Sequence, residues 1–507
     1  MNRREFVRAT GMAPIAASTQ RTPTAESKPN ILLICGDNQQ ADTIANRSLC
    51  RTPNINRLAS QGMLFHRAYT NAAVCSPARN ALLTGAFNWR FGTYNHIDQA
   101  CSVSNDPFPN VVTYPAIMRE GGYHLGYCGK WHTSTVRIPT DFGFHEIGAP
   151  DRYKGLAREK LIRQGSAPME RPRRRTPVRT VQWPGTKPFG LWGYSEGEVE
   201  ETELYETAQA GIDMIKRFSA EGKPWHIEVH FPEAFRAWPL RRYRERYEAS
   251  AIPVAGNFHD PLDGKPNMQR READSYGPVT GADFQDGRAF YYASYEQMDE
   301  QVGRILDALE ESGQAANTVV VFTADHGAPW GAHRMWLPCF APYEESYKIP
   351  MVVRWPGHIE PGSDCRRLAQ FHDLGHTFLD IAGLRPLPHP HGVSLRPLFR
   401  NPAASGWRDM ILCPWYGQDF LMIQRMVITE SHKFVFNAFD FDECYNLQSD
   451  PGELTNLVNS SSQRAVVDDL RARLYELMAR FDDPYGDHGT AVSFMAPRYL
   501  DRGKRMA

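Results

Sequence analysis

Five consecutive residues, Cys75-Ser76-Pro77-Ala78-Arg79, hold the densest chemistry in the chain. Proline favours the first turn of a helix and glycine its end. The spacing therefore predicts a short helix with Pro77 at its first position and Gly85 at its close. Cys75 then stands at the helix N-terminus, where free N–H groups and the helix dipole favour negative charge. Arg79 lies one turn in and reaches toward the same point. A cysteine so placed has a depressed pKa and is reactive. A buried structural cysteine beside a capped helix fits the same residues, and this segment alone leaves both readings open.

Two further pairs, Asp37-Asn38 and Asp325-His326, each follow a short apolar run, residues 30–35 and 318–323. Such runs fit strands buried on both faces. Both acids would then lie just beyond the carboxyl ends of strands, where ligands collect in open α/β sheets. Acids that merely cap the next helix are the competing reading. Lys130 and His132, in G-K-W-H, follow a third predicted strand over 123–128. Taken alone they read as a surface lysine and a hydrogen-bonded histidine beside a core Trp131.

The elements that must position these residues alternate. A helix is expected over Pro53–Ser60, with Thr52 as N-cap, Pro53 at its first position and Gly62 past its end. Apolar residues at 291, 295, 298, 302, 305 and 309 predict an amphipathic helix packed on the sheet. Strand–helix alternation implies an α/β core with a mainly parallel sheet. Residues 151–195, with Arg171, Arg173, Arg174, Arg175 and Arg179 among prolines and glycines, read as a loop insertion. After about residue 400 the pattern changes to short strands (422–429, 433–437) and a helix (465–480), a small C-terminal α+β subdomain. The expected division is 1–27 leader, 28–400 catalytic domain and 401–507 C-terminal subdomain.

The 507 residues carry 57 Lys plus Arg against 58 Asp plus Glu, so no global charge draws nucleic acid or membrane. No apolar run approaches the roughly 20 residues of a membrane span. The N-terminus reads N-R-R-E-F-V-R, then a mild apolar stretch, then a polar one to Lys28. This resembles a twin-arginine (Tat) export signal, implying a periplasmic or secreted bacterial protein; a disordered cytoplasmic tail is the alternative. Nine cysteines without regular spacing or a C-x-x-C pair argue against a disulfide framework or a zinc site.

C-x-P-x-R followed by T-G resembles the signature of the type I, formylglycine-dependent sulfatases of the alkaline-phosphatase-like superfamily. P-N-I-L-L-I-C-G-D-N, R-T-P-N-I-N-R-L-A, G-Y-C-G-K-W-H, F-T-A-D-H-G, Y-E-E-S-Y-K-I-P-M-V-V-R-W-P-G and Y-N-L-Q-S-D-P-G-E-L-T-N-L also resemble family segments, in family order. The resemblance implies a mixed, mainly parallel sheet sandwiched by helices. It implies that a maturation enzyme oxidises Cys75 to formylglycine, whose hydrate attacks sulfur with one oxygen and eliminates sulfate with the other. It implies one calcium held by Asp37, Asn38, Asp325, His326 and the modified Cys75, an oxygen-rich set suited to a hard cation. Lys130 and His132 would bind sulfate, with Arg79 beside the nucleophile, and the substrate would be a sulfated small molecule or polysaccharide.

The chain departs from the family pattern at three places. Asn38 stands where Asp is commoner. No histidine occupies the usual mid-chain place of the leaving-group acid, so His230 or Glu233 are candidates. Pro338 and Cys339 fall near the place of a lysine after D-H-G, leaving His333, assigned here as catalytic, and Arg334 as the nearest cationic candidates. Asn95 and His96 are further candidates for substrate contact, and the arginine run for contact with a polyanion. Two other functions fit the same motifs: hydrolysis of phosphonate or phosphate esters, and binding of sulfated glycans without turnover.

Overall fold

The computed structural model describes residues 28–99, 101–166, 174–232, 237–338, 341–418 and 420–486. The leader and Arg171, Arg173, Glu233 and Cys339 lie outside these residues.

The apolar run after Pro29 becomes the strand Asn30–Gly36, every residue of which is buried. Its alternate side chains feed two different cores. Ile31 and Leu33 face one, Leu32 and Ile34 the other, so the sheet is covered on both faces. Eight strands lie in the order Ser363–Cys365, Met63–Phe65, Met351–Arg354, Thr318–Ala324, Asn30–Gly36, Trp225–His230, His124–Lys130, Glu146–Asp151. Pairing is parallel except where Met351–Arg354 meets its two neighbours, so that strand alone runs against the other seven. This is the mixed, mainly parallel α/β sheet expected.

Helices cover both faces. Gly281–Glu311 and Glu203–Ala220 pack on the face of Leu32 and Ile34. Cys75–Thr84 and Asp373–Ile381 pack on the other. The helix expected over 291–309 is thus longer at both ends, and Thr280 and Asp283 cap it reciprocally. Pro53–Ser60 is a helix with Thr52 as its N-cap residue, but the Thr52 side chain makes no capping hydrogen bond. Its hydroxyl donates to the Thr43 carbonyl, and Asp299 of the long helix accepts from the backbone N–H groups of Asn54 and Ile55 at 3.0 and 2.8 Å.

Residues 151–195 are not a plain loop. They include the helix Gly155–Arg163 and an antiparallel hairpin of Arg175–Val181 with Phe189–Ser195. A second sheet, four antiparallel strands in sequence order, starts at Met410 and packs against the helix Arg464–Arg480. Its other face meets Tyr69, Val74 and Tyr347 of the larger core.

Candidate active site

The parallel register sets the site. Gly36 pairs with Ala324, so the residues that follow, Asp37 and Asp325, emerge side by side at the carboxyl edge. Lys130 ends the His124–Lys130 strand on that edge. The long helix fixes the turn after Gly36. Tyr295 donates to the Asp37 carbonyl at 2.7 Å and Tyr291 to that of Asn38 at 3.1 Å. Asn38 has φ +59°, a left-handed conformation that Asn tolerates better than most residues.

Cys75 opens its helix at the first position, with Val74 as N-cap and Gly85 in the left-handed conformation at the end. Pro77 therefore occupies the third position, not the first, and the thiol still sits among the free N–H groups. Sγ lies 3.2 Å from Lys130 Nζ, 3.2 Å from His326 Nε2 and 3.5 Å from Asp37 Oδ1. Burial alone would raise the thiol pKa. The adjacent Lys130 ammonium and His326 outweigh it and hold Cys75 well below the ordinary thiol range.

The surrounding charges are paired. Lys130 Nζ donates to both Asp37 oxygens at 2.8 Å. Arg79 makes its polar contacts to other residues than Cys75. Its guanidinium lies 2.9 Å from Asp325, donates to the Lys130 carbonyl at 3.1 Å and meets His230 Nδ1 at 2.9 Å. It braces the acids from below. Burial pushes the Asp37 carboxyl up to about 7 against the pull of Lys130. Asp325 is also buried, yet Arg79 and His326 hold it below the usual carboxylate range. Burial would lower His326, but Asp325 and Cys75 lift it to about 9. Its Nδ1 donates to the Gly327 carbonyl at 2.8 Å, which turns Nε2 toward Cys75.

Donor atoms of Asp37, Cys75, Asp325 and His326 all lie within 4.8 Å of one another. Asn38 Oδ1 is buried, with no hydrogen-bond partner among the described residues. An orphaned carbonyl oxygen next to two carboxylates is the donor set a hard cation takes. A cation there competes with the protons these groups share.

Above Cys75 opens a cavity of about 420 Å3. Asn38, Lys130, His132, His96, Asp98 and Lys154 line it, with Trp183 and Phe189 of the hairpin on one wall. His132 Nε2 lies 3.2 Å from Asp98, which also pairs with Lys154.

The structure thus brings together Asp37, Asn38, Cys75, Arg79, Lys130, His132, Asp325 and His326. It does not bring His333. That side chain is fully buried elsewhere, with Nδ1 2.6 Å from Asp260, Nε2 3.1 Å from Asn257 and its ring stacked on Tyr343. Its neighbour Arg334 pairs with Asp274. His230 lies behind Arg79, with Nε2 donating to Glu228 at 2.5 Å. His96 lines the cavity, whereas Asn95 holds the loop through the carbonyls of Cys101 and Gln418. Of the arginine run, Arg175 stacks over Trp238 and Arg179 bonds Pro278 and Asp283, so these two pin the hairpin to the body. Asp98, Lys154, Trp183 and Phe189 fall in no motif, and no spacing in the sequence points to them.

The sulfatase family profile matches residues 29–384, and the C-terminal profile of N-sulphoglucosamine sulphohydrolase matches residues 331–480. The chain is similar to an arylsulfatase of Clostridium perfringens, 28% identical over 91% of this chain and 96% of the relative. It is also similar to an N-acetylglucosamine-6-O-sulfatase of Bacteroides thetaiotaomicron, 25% identical over 96% and 93%. Two solved structures share the fold. One is a complex with its substrate D-glucosamine-2-N,6-O-disulfate (TM-score 0.72, 20% identity, 91% of this chain and 100% of that one). The other is a phosphonate monoester hydrolase of Agrobacterium radiobacter (TM-score 0.73, 24% identity, 89% and 96%). With most of its length matched by that profile, the chain belongs to the sulfatase family and is a sulfuric ester hydrolase.

Proposed function

We propose that this enzyme removes sulfate from a sulfated carbohydrate, with a formylglycine made from Cys75 and one bound calcium. The observation that carries the reading is the environment of Cys75. A single buried thiol at a helix N-terminus is shared by an ammonium, an imidazole and a carboxylate. The Cys75 sulfur stands in for an oxygen of the hydrated aldehyde. That modification supplies two oxygens on one carbon, one to attack sulfur and one to release sulfate.

Lys130 holds that oxygen and favours its anionic form. His132, steadied by Asp98, faces the sulfate. Arg79 fixes the acids. Asp37, Asn38, Asp325, His326 and the modified residue would hold calcium, which supplies Lewis-acid stabilisation of negative oxygen. A sugar is supported by the named relatives and by the wall. Asp98, Gln99, Arg152, Lys154 and Gln418 offer hydrogen bonds to hydroxyls, and Trp183 and Phe189 offer faces for a ring. The leader completes the proposal, with export to the periplasm or medium.

The test is inorganic sulfate and phosphate release from matched aryl esters. The protein is coexpressed with a formylglycine-generating enzyme, supplied with calcium and run beside Cys75→Ala. Sulfate release that vanishes in the variant is expected. Phosphate or phosphonate release in its place would overturn the reading.

A further inference from the structure

We infer that His96 hydrogen-bonds the leaving oxygen of the substrate, the role that His230 and His333 are not placed to fill; this rests on the sulfatase reading above. Both ring nitrogens of His96 are buried, and among the described residues neither meets a hydrogen-bond partner other than the Cys75 sulfur it faces. A buried polar group without a partner is costly, and a substrate atom is the natural one to complete it. Atoms of Cys75, His96 and His132 lie within 4.8 Å of one another, and the two imidazole centroids are 5.1 Å apart. His132 Nε2 lies at ion-pair distance from Asp98, 3.2 Å, without a hydrogen bond, whereas among the described residues no carboxylate stands at ion-pair distance from His96.

The position is prepared in advance. Ser102 donates to the His96 carbonyl at 2.5 Å, and Asn95 accepts from the Val103 N–H at 3.1 Å. His96 and Asp98 lie on one loop and line the same cavity, where Asp98 pairs with Lys154. When the S–O bond breaks, its electron pair passes to the bridging oxygen. An N–H of His96 donating to that oxygen stabilises the charge as it develops, and water then supplies the proton. Fixed donors aimed at developing charge are the strongest electrostatic device available to a site.

The experiment compares wild type, His96→Asn and His96→Ala, each coexpressed with the formylglycine-generating enzyme. Conversion of Cys75 is checked by peptide mass and bound calcium by metal analysis. kcat/KM is measured across aryl sulfates of rising leaving-group pKa and one alkyl sulfate. The expected loss is ~10²-fold or more for the alkyl ester and under ~10-fold for 4-nitrophenyl sulfate, a steeper leaving-group dependence. A uniform loss with unchanged slope would overturn the inference and make His96 a sulfate contact. Loss of a bound metal equivalent would make it a ligand and overturn it too. Wild-type turnover of phosphonate esters alone would overturn the sulfatase reading, and the same series in phosphonates would still read out His96. No turnover of any ester by converted wild type would sink both.

Discussion

A single oxygen is expected to set how tightly the proposed calcium site binds. Asn38 offers a neutral carbonyl where a carboxylate would add charge, and its backbone sits in a left-handed turn that Asp also tolerates. Asn38→Asp is expected to tighten calcium by about 10-fold, because ligand charge count sets affinity in oxygen sites; calcium titration followed by melting temperature checks it. The sequence made Asp37, Cys75, Asp325 and His326 legible because each stands at a strand end or helix start whose punctuation is local. His333 shows the limit. It is close to D-H-G in sequence, but its own φ of +52° turns it onto Asp260. His333→Gln should therefore leave kcat within about threefold of wild type. It should cost ~1–3 kcal/mol of stability through the lost His333 contacts to Asp260 and Asn257, read by thermal melts beside turnover.

At the scale of elements, the D-H-G turn depends on close backbone contact. The Gly327 N–H donates to the Ser346 carbonyl at 2.9 Å, and a Cβ on Gly327 would lie 2.0 Å from the Glu345 carbonyl oxygen. Gly327→Ala must push this turn away from the Glu344–Tyr347 helix and carry His326 with it. At least a 10-fold loss of calcium affinity is expected, and unchanged affinity would sink the argument. Next to the Asp373–Ile381 helix, burial lowers His372 to about 4 from an ordinary value near 6.5. The folded pKa is depressed, so its stability is fully present above about 6.5 and is lost as pH falls toward about 4. The loss is on the order of 3 kcal/mol. His372→Gln should flatten the acid side of the stability profile by about one proton, measured by denaturant melts from pH 7 to 4. The hairpin Arg175–Val181 with Phe189–Ser195 escaped the sequence reading for a physical reason. Its first strand is exposed at most positions and holds Pro177, and its second is broken by Gly190 and Gly193, so no apolar period marks either.

Across the whole molecule, buried charge joins the second sheet to the Glu344–Tyr347 helix of the larger body. Lys433, fully buried, lies 2.8 Å from Glu453 and 3.0 Å from Glu344, and it donates to the Pro342 carbonyl at 2.8 Å. Glu453 in turn accepts from the Glu344 N–H at 2.7 Å. Lys433→Met strands two buried acids and should cost ~3–5 kcal/mol, seen as a fall in melting temperature together with weaker calcium binding. The segment D-P-G-E-L-T-N-L was visible as a family resemblance. Its work as a joint was not, because its partners lie 20 and 109 residues away and no local pattern connects them.

Every residue of the Cys75–Thr84 helix is buried, and Cys75 itself is only 5% exposed. That turns a matter of geometry into one of timing. The maturation enzyme proposed above would need the thiol within reach, and the finished fold withholds it. On that proposal, oxidation of Cys75 would race folding, and the share of active molecules in a preparation would be fixed before the chain closes. Unconverted protein, once folded, should stay unconverted when the maturation enzyme is added, and become convertible only after unfolding, which peptide mass analysis reads directly.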